Sequence, residues 1–214
     1  MQILSGFPFI TLLVFFPFII HARPKIALPN DYIIKSKGDH CQIFSADGKV
    51  AYQYAPELNT PSSGETSMTI KDGSTKKLFT LVSNHDICAY RKETFTQRDG
   101  PPQKDNLPQR EFQFDPEFFS ADVWRFNFID NSGLRQHFRL KLGITDEGGK
   151  IHRVVSGKHD ELVGKIKNQK RNDSWLNDPK GVDTVTLSCV DGAPVDELVT
   201  LLSLVFYKSH HCPI

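Results

Sequence analysis

The sequence lacks the short motifs that mark the common catalytic sites. It contains no G-x-S-x-G nucleophile elbow, no H-E-x-x-H zinc motif and no phosphate-binding loop. It also lacks a surplus of positive charge, because 26 Lys and Arg face 25 Asp and Glu. Affinity for a phosphate backbone depends on an excess of basic residues. We therefore expect a protein that is not an enzyme, needs no cofactor and binds no nucleic acid.

Cysteine is scarce and widely spaced. The chain has no C-x-x-C pair, which excludes the common zinc-finger and thioredoxin-type motifs. Three of the cysteines lie near histidines, but the spacings fit no standard site, so no metal is expected. An even count in an exported chain is compatible with two disulfides in any of three pairings, and buried free thiols are the alternative. The four residues are Cys41, Cys88, Cys189 and Cys212.

Long apolar runs are absent except at the start of the chain. Residues 7–20 are almost wholly apolar, and Arg23 and Lys25 follow. A run of about fourteen residues is the length of a signal-peptide core and is short for a bilayer span. We therefore predict a secreted protein with a signal peptide at residues 1–22, an extended leader at 23–30 and one domain at 31–214.

Two alternatives for this segment stay open: an internal apolar strand, and a signal anchor that would leave the domain membrane-anchored and cytoplasmic. In a secreted chain, the sequon Asn172-Asp173-Ser174 predicts glycosylation at Asn172. The sequence predicts a monomer in either case, with peripheral membrane contact as one option.

The body of the domain reads as short strands joined by turns. Asp47-Gly48, Asp72-Gly73 and Asn131-Ser132-Gly133 each separate two alternating segments. Such residues favour β-hairpins because they tolerate the positive φ that tight turns need. Further strand candidates lie at residues 87–96, 151–155, 161–167 and 184–190. We predict a mainly β fold of about nine to twelve antiparallel strands, with Trp124, Phe126 and Phe128 facing its interior.

Two polar stretches interrupt this pattern. Residues 98–116 contain four prolines and are predicted to form an irregular loop between two halves of one sheet system. Residues 168–181 are predicted to precede the last strand. Neither half looks large enough to fold alone, which favours a single domain.

The chain ends in an apolar segment with helical spacing. Val195, Leu198, Leu201, Leu202, Val205 and Phe206 recur at this spacing, and Asp196 and Glu197 stand where acids favour a helix N-terminus. A helix that is apolar nearly all round must be enclosed by protein or by lipid. The run is only about ten residues, roughly 15 Å, which is half of a hydrocarbon core. We therefore predict an α-helix over residues 195–208 that runs through the middle of a β-barrel.

A barrel around a hydrophobic C-terminal helix resembles the tubby C-terminal-like superfamily, which includes tubby domains, phospholipid scramblases and LURP-one-related proteins. The Asp-Gly hairpins "IFSADGKVAYQY" and "MTIKDGSTKKLFTLV" and the closing unit "VTLSCVDGAPVDELVTLLSLVFY" carry the resemblance, which covers residues 31–207. The resemblance implies a closed antiparallel barrel that binds anionic phospholipid head groups through basic surface residues. Relatives of this kind are expected in fungi, often with no assigned activity.

One basic cluster is the best candidate for an anionic ligand. The segment "GKIKNQKRND" predicts a ligand-binding group formed by Lys165, Lys167, Lys170 and Arg171. Lys76 and Lys77 form a smaller basic spot. The alternative is a solvated strand edge, where lysines discourage edge-to-edge pairing.

We therefore expect a secreted, non-enzymatic tubby-like domain that binds anionic lipid. Two alternatives are a secreted, effector-like fungal protein that binds another protein surface, and a membrane-anchored intracellular tubby-like protein.

Overall fold

The computed structural model describes residues 30–37, 41–59, 64–88, 91–100, 107–116, 122–143 and 148–212. The predicted signal peptide lies outside them, as does the extended leader apart from Asn30. The described residues form twelve strands and one α-helix: β1 (Asn30–Lys35), β2 (Gln42–Ser45), β3 (Val50–Asn59), β4 (Glu65–Asp72), β5 (Lys77–Ser83), β6 (Glu93–Gln97), β7 (Arg110–Asp115), β8 (Val123–Ile129), β9 (Arg135–Leu142), β10 (Gly148–Arg153), β11 (Glu161–Arg171), β12 (Val182–Cys189) and α1 (Val195–His211).

The strands close into an antiparallel barrel. Each strand from β2 to β12 pairs with the strand before or after it in the chain, and β1 closes the ring between β2 and β12. Closure leaves no sheet edge among these strands. The prediction of a closed antiparallel barrel is therefore confirmed, with twelve strands at the upper end of the expected range.

All twelve strands contribute to one apolar interior. Alternate residues along each strand point inward, as the period of two requires. Phe112, Phe126 and Phe138 on three adjacent strands stack with centroid separations of 5.3 and 4.8 Å. Trp124 and Phe128 are also buried in this interior, so the prediction for the aromatic row of β8 is confirmed.

The helix α1 fills the middle of the barrel. Every residue from 197 to 206 is buried, which is nearly three full helical turns with no exposed face. Its side chains belong to the same apolar cluster as those of the strands. The hydroxyls of Thr200 and Ser203 bond to the helix carbonyls of Asp196 and Val199, at 2.7 and 3.0 Å, so they add no unsatisfied polar group to the core. The predicted central helix is confirmed and extends to His211.

The three predicted hairpins form, but their turns are longer than the two-residue type. Four residues separate β2 from β3 and β4 from β5, and five separate β8 from β9. The carboxylate of Asp72 accepts bonds from the backbone N–H groups of Ser74 and Lys76, both at 2.9 Å, and this fixes the turn. Thr75 has the positive φ in that turn, whereas Gly73 is needed because a Cβ there would lie 2.3 Å from the Val50 carbonyl oxygen.

The predicted irregular loop over residues 98–116 contains a strand. Arg110–Asp115 forms β7 and pairs with both β6 and β8. Phe112 and Phe114 alternate with polar residues there, and this period of two outweighs the prolines that precede it. The predicted strand over residues 87–96 begins only at Glu93.

Replacing Leu201 with Asp tests the central position of α1. Leu201 is completely buried, so the variant places an unpaired charge in the barrel core and is expected to abolish the cooperative thermal transition. The matched control is L134D, because Leu134 lies in a turn and is 63% exposed. Circular dichroism melting compares the two. A Tm for L201D within a few degrees of that of L134D would contradict the central helix.

Candidate functional site

Three lysines stand in one row across three neighbouring strands. Lys150 of β10 is the direct partner of Lys165 of β11 on one side and of Lys141 of β9 on the other. Directly opposed residues place their Cβ atoms about 5 Å apart, so the row is roughly 10 Å long. Lys167 follows Lys165 on the same face of β11. We call these four residues the lysine surface.

The lysine surface lies on the outside of the barrel. Lys141 follows Leu140, Lys150 precedes Ile151 and Lys165 precedes Ile166, and these three apolar neighbours belong to the interior cluster. Because successive side chains on a strand point to opposite faces, the lysines point outward. Lys141, Lys150 and Lys167 are exposed, and Lys165 is half-buried.

A glycine is required beside these lysines. Gly148 of β10 is the partner of Lys167, and its carbonyl accepts from the Gly143 N–H at 2.8 Å. Gly148 has a φ of +113°, and a Cβ there would lie 2.1 Å from the Ile166 carbonyl oxygen. The backbone of β10 and β11 therefore approaches closely at this position, next to Lys167.

Charge balance distinguishes the lysines from the arginines nearby. Arg125, Arg139 and Arg153 form ion pairs with Asp115, Asp160 and Glu161, at 2.7, 3.0 and 3.2 Å. Within the described part of the chain, Lys141, Lys150 and Lys167 form no ion pair. Like charges placed directly opposite each other on a sheet are destabilising. An anion that bridges Lys141 and Lys150 would relieve the repulsion between them, so the surface favours anionic ligands.

The structure brings together only part of the predicted basic cluster. Lys165 and Lys167 share the outer face of β11, as expected. Lys170 lies on the opposite face, because successive side chains of the strand alternate between faces and its pairing with β12 continues without a bulge. Arg171 is largely buried and bonds to Asp31 and Asp173, each at 2.6 Å. These two carboxylates raise the pKa of its guanidinium, which acts as a structural anchor. Lys141 and Lys150 were missed because their alignment depends on strand register.

The other sequence candidates are engaged in structural contacts. Lys77 forms an ion pair with Asp99 at 2.5 Å, so the second basic spot is partly neutralised. No group of three or more His, Cys, Asp or Glu side chains suited to a metal ion occurs among the described residues.

The cysteines form one disulfide. Cys88 and Cys212 are bonded and join the segment after β5 to the residue that follows α1. Cys41 is exposed at the start of β2, whereas Cys189 is a buried thiol on β12. Burial raises the pKa of Cys189 to about 12, so its thiolate form is scarce at neutral pH. Asn172 is exposed immediately after β11, at the start of the segment that leads to a short 3-10 helix at Ser174–Leu176.

A buried ion pair fixes the first turn of α1. Arg110 of β7 donates from Nε to Glu197 at 2.9 Å, and its guanidinium lies 4.4 Å from the centroid of the Phe79 ring. Burial raises the pKa of Glu197, and Arg110 opposes that shift. Tyr52 of β3 donates to Asp196 at 2.7 Å. Sequence reasoning missed this pair because Arg110 lies in the stretch that was predicted as a loop.

No family model, curated protein or solved structure matches this chain. No α-helix among the described residues is both long and apolar enough to cross a membrane. The choice of the lysine surface as the candidate site therefore rests on its geometry and not on a relative.

Replacing Arg110 with Met tests the buried pair. Removing the guanidinium leaves the Glu197 carboxylate buried without its partner, and we expect a loss of about 3 kcal/mol in the free energy of unfolding. The double variant R110M/E197M is expected to recover most of that loss because no buried charge remains. R139M is the matched control, since its more exposed pair is worth less than about 1 kcal/mol. Urea denaturation measures all three, and equal losses for R110M and R139M would contradict this account.

Proposed function

We propose that this protein is an exported, non-enzymatic binding module of the tubby-like type, and that its lysine surface binds anionic phospholipid head groups. The observation that carries the proposal is the direct alignment of Lys141, Lys150 and Lys165 across three strands. The sequence resemblance described above points to the same class of ligand.

The chemistry of the surface suits phosphate groups at a membrane. A lysine ammonium forms charge-assisted hydrogen bonds to phosphate oxygens without demanding one orientation. Each basic residue near an anionic bilayer contributes about 1 kcal/mol, so four lysines support reversible peripheral binding. Such binding weakens as salt rises, because exposed charges are screened. The convex outer face of a barrel can approach a bilayer without a pocket.

The disulfide supports the export part of the proposal. Disulfides persist in oxidising compartments and are rare in the cytosol. Cys88–Cys212 links positions 124 residues apart and joins the segment after β5 to the end of α1. A secreted, glycosylated protein with this bond fits the apolar leader predicted at residues 1–22. An anchored intracellular protein is the competing proposal, and a reduced pair in the natural protein would favour it.

Charge reversal on the row tests lipid binding. The variant K150E/K165E should lose sedimentation with vesicles that contain a phosphoinositide, whereas phosphatidylcholine vesicles should bind neither the variant nor the parent chain. The control K37E/K180E makes the same change in net charge at two exposed lysines outside both basic clusters and should bind as the parent does. Lys170→Glu should also retain binding, because Lys170 lies on the other face of β11.

Three results would count against the proposal. Equal losses in the two double variants would mean that net charge, not this surface, controls binding. Retention of full binding by K150E/K165E would eliminate the lysine surface. No binding of the parent chain to any anionic vesicle would favour a protein partner, with the segment between β6 and β7 as the next surface to alter.

A further inference from the structure

A buried acid and a buried base meet where α1 ends. The side chain of Glu93, at the start of β6, is completely buried, and neither of its carboxylate oxygens makes a hydrogen bond. Lys208 of α1 has its ammonium 3.8 Å from Glu93, which is longer than a hydrogen bond. That ammonium donates instead to the Ile87 carbonyl at 2.7 Å and lies 4.2 Å from the centroid of the Phe114 ring.

Burial is the main influence on the titration of both groups. The pKa of Glu93 is raised to about 7: burial is the main cause and Asp86 acts in the same direction, whereas Ser83, Lys208 and Arg91 oppose the shift. The Ser83 hydroxyl accepts from the His85 N–H at 3.3 Å and does not complete a hydrogen bond to Glu93. Burial lowers the pKa of Lys208 against the opposing effect of Glu93, Asp122 and Asp86. The structure therefore suits a protonated Glu93 better than an ionised one.

The disulfide crosses this same region. Cys88 follows Ile87, the residue whose carbonyl binds Lys208, and Cys212 comes directly after α1. The bond ties the last turn of the helix to the segment that its lysine contacts. Both cysteines pack against the apolar interior. While the bond is intact, these two segments cannot separate.

We infer that Glu93, Lys208 and the Cys88–Cys212 disulfide form a clasp that opens this end of the barrel only when the disulfide is reduced and Glu93 is ionised. Ionised Glu93 is a buried charge without a hydrogen-bond donor, and release of the last helical turn admits water to it. An external dithiol supplies the reduction: it becomes a disulfide while Cys88 and Cys212 each gain a hydrogen. The proposal is independent of lipid binding.

The direction of the pH effect follows from linkage. Glu93 keeps its proton to a higher pH in the closed clasp than in the open clasp. The contribution of Glu93 to the stability of the closed clasp is therefore fully present below the ordinary glutamate pKa. That stability falls as the pH rises through about 7. Opening is therefore suppressed near pH 5 and favoured near pH 8, and it changes by up to about tenfold for each pH unit between the ordinary glutamate pKa and about 7.

Amide hydrogen exchange of the whole chain, with and without a dithiol, tests the clasp. Exchange is measured near pH 5 and near pH 8 and corrected for the intrinsic effect of pH. In the reduced protein, peptides that cover residues 203–212 and 84–97 should lose about ten- to a hundredfold in protection at the higher pH. The oxidised protein should show little change. Peptides that cover residues 198–202, toward the other end of α1, should stay protected.

The variant E93Q isolates the titrating group. Gln has nearly the shape of Glu but no charge, so the reduced variant should show equal protection at the two pH values. The control E197Q alters the other buried glutamate and should keep the pH effect at the clasp. Equal protection in the reduced parent chain at both pH values overturns the inference, as does an unchanged pH effect in E93Q. Loss of protection at both ends of α1 together also overturns it, because that result means global unfolding.

Discussion

The fold depends on the burial of one short apolar helix inside a closed sheet. Twelve strands enclose an apolar space, and a helix that fills it can have no polar face. Residues 197–206 of α1, all of them buried, form that helical segment. Full burial of each large apolar side chain contributes about 2 kcal/mol, as an upper estimate. The helix and the barrel therefore stabilise each other, because side chains of both form one apolar cluster in the described part of the chain. Ion pairs between α1 and the strands are found at its two ends, at Glu197 and at Lys208.

This arrangement separates the parts of the molecule by role. The interior is assigned to packing, and two buried ion pairs of the described residues, Arg110–Glu197 and Glu93–Lys208, lie at the two ends of α1. The lysine surface that we propose for binding lies on the outer face of strands β9 to β11, away from the core. The alternation of β-strands makes this possible, because each lysine of the row is adjacent in sequence to an inward-facing position.

Local patterns in the sequence were sufficient to predict the architecture. The spacing of Leu198, Leu201, Leu202 and Val205 identified α1, and the Asp-Gly turns identified hairpins. Properties that depend on register could not be predicted in this way. The alignment of Lys141, Lys150 and Lys165 requires the pairing of three strands, and a β-bulge between Ile151 and His152 shifts that pairing. The cysteine pairing and the partner of Glu197 likewise depend on segments that are distant in sequence.

The most direct test of the mutual dependence of helix and barrel is the unfolding of a chain that ends at Pro194. Without α1 the strands lose their common core, so we predict no cooperative urea transition and no near-ultraviolet circular dichroism signal from Trp124, which packs at the centre. Addition of a peptide of residues 195–212 should restore part of that signal. A truncated chain that unfolds cooperatively, with the same dependence on urea as the full protein, would contradict the account.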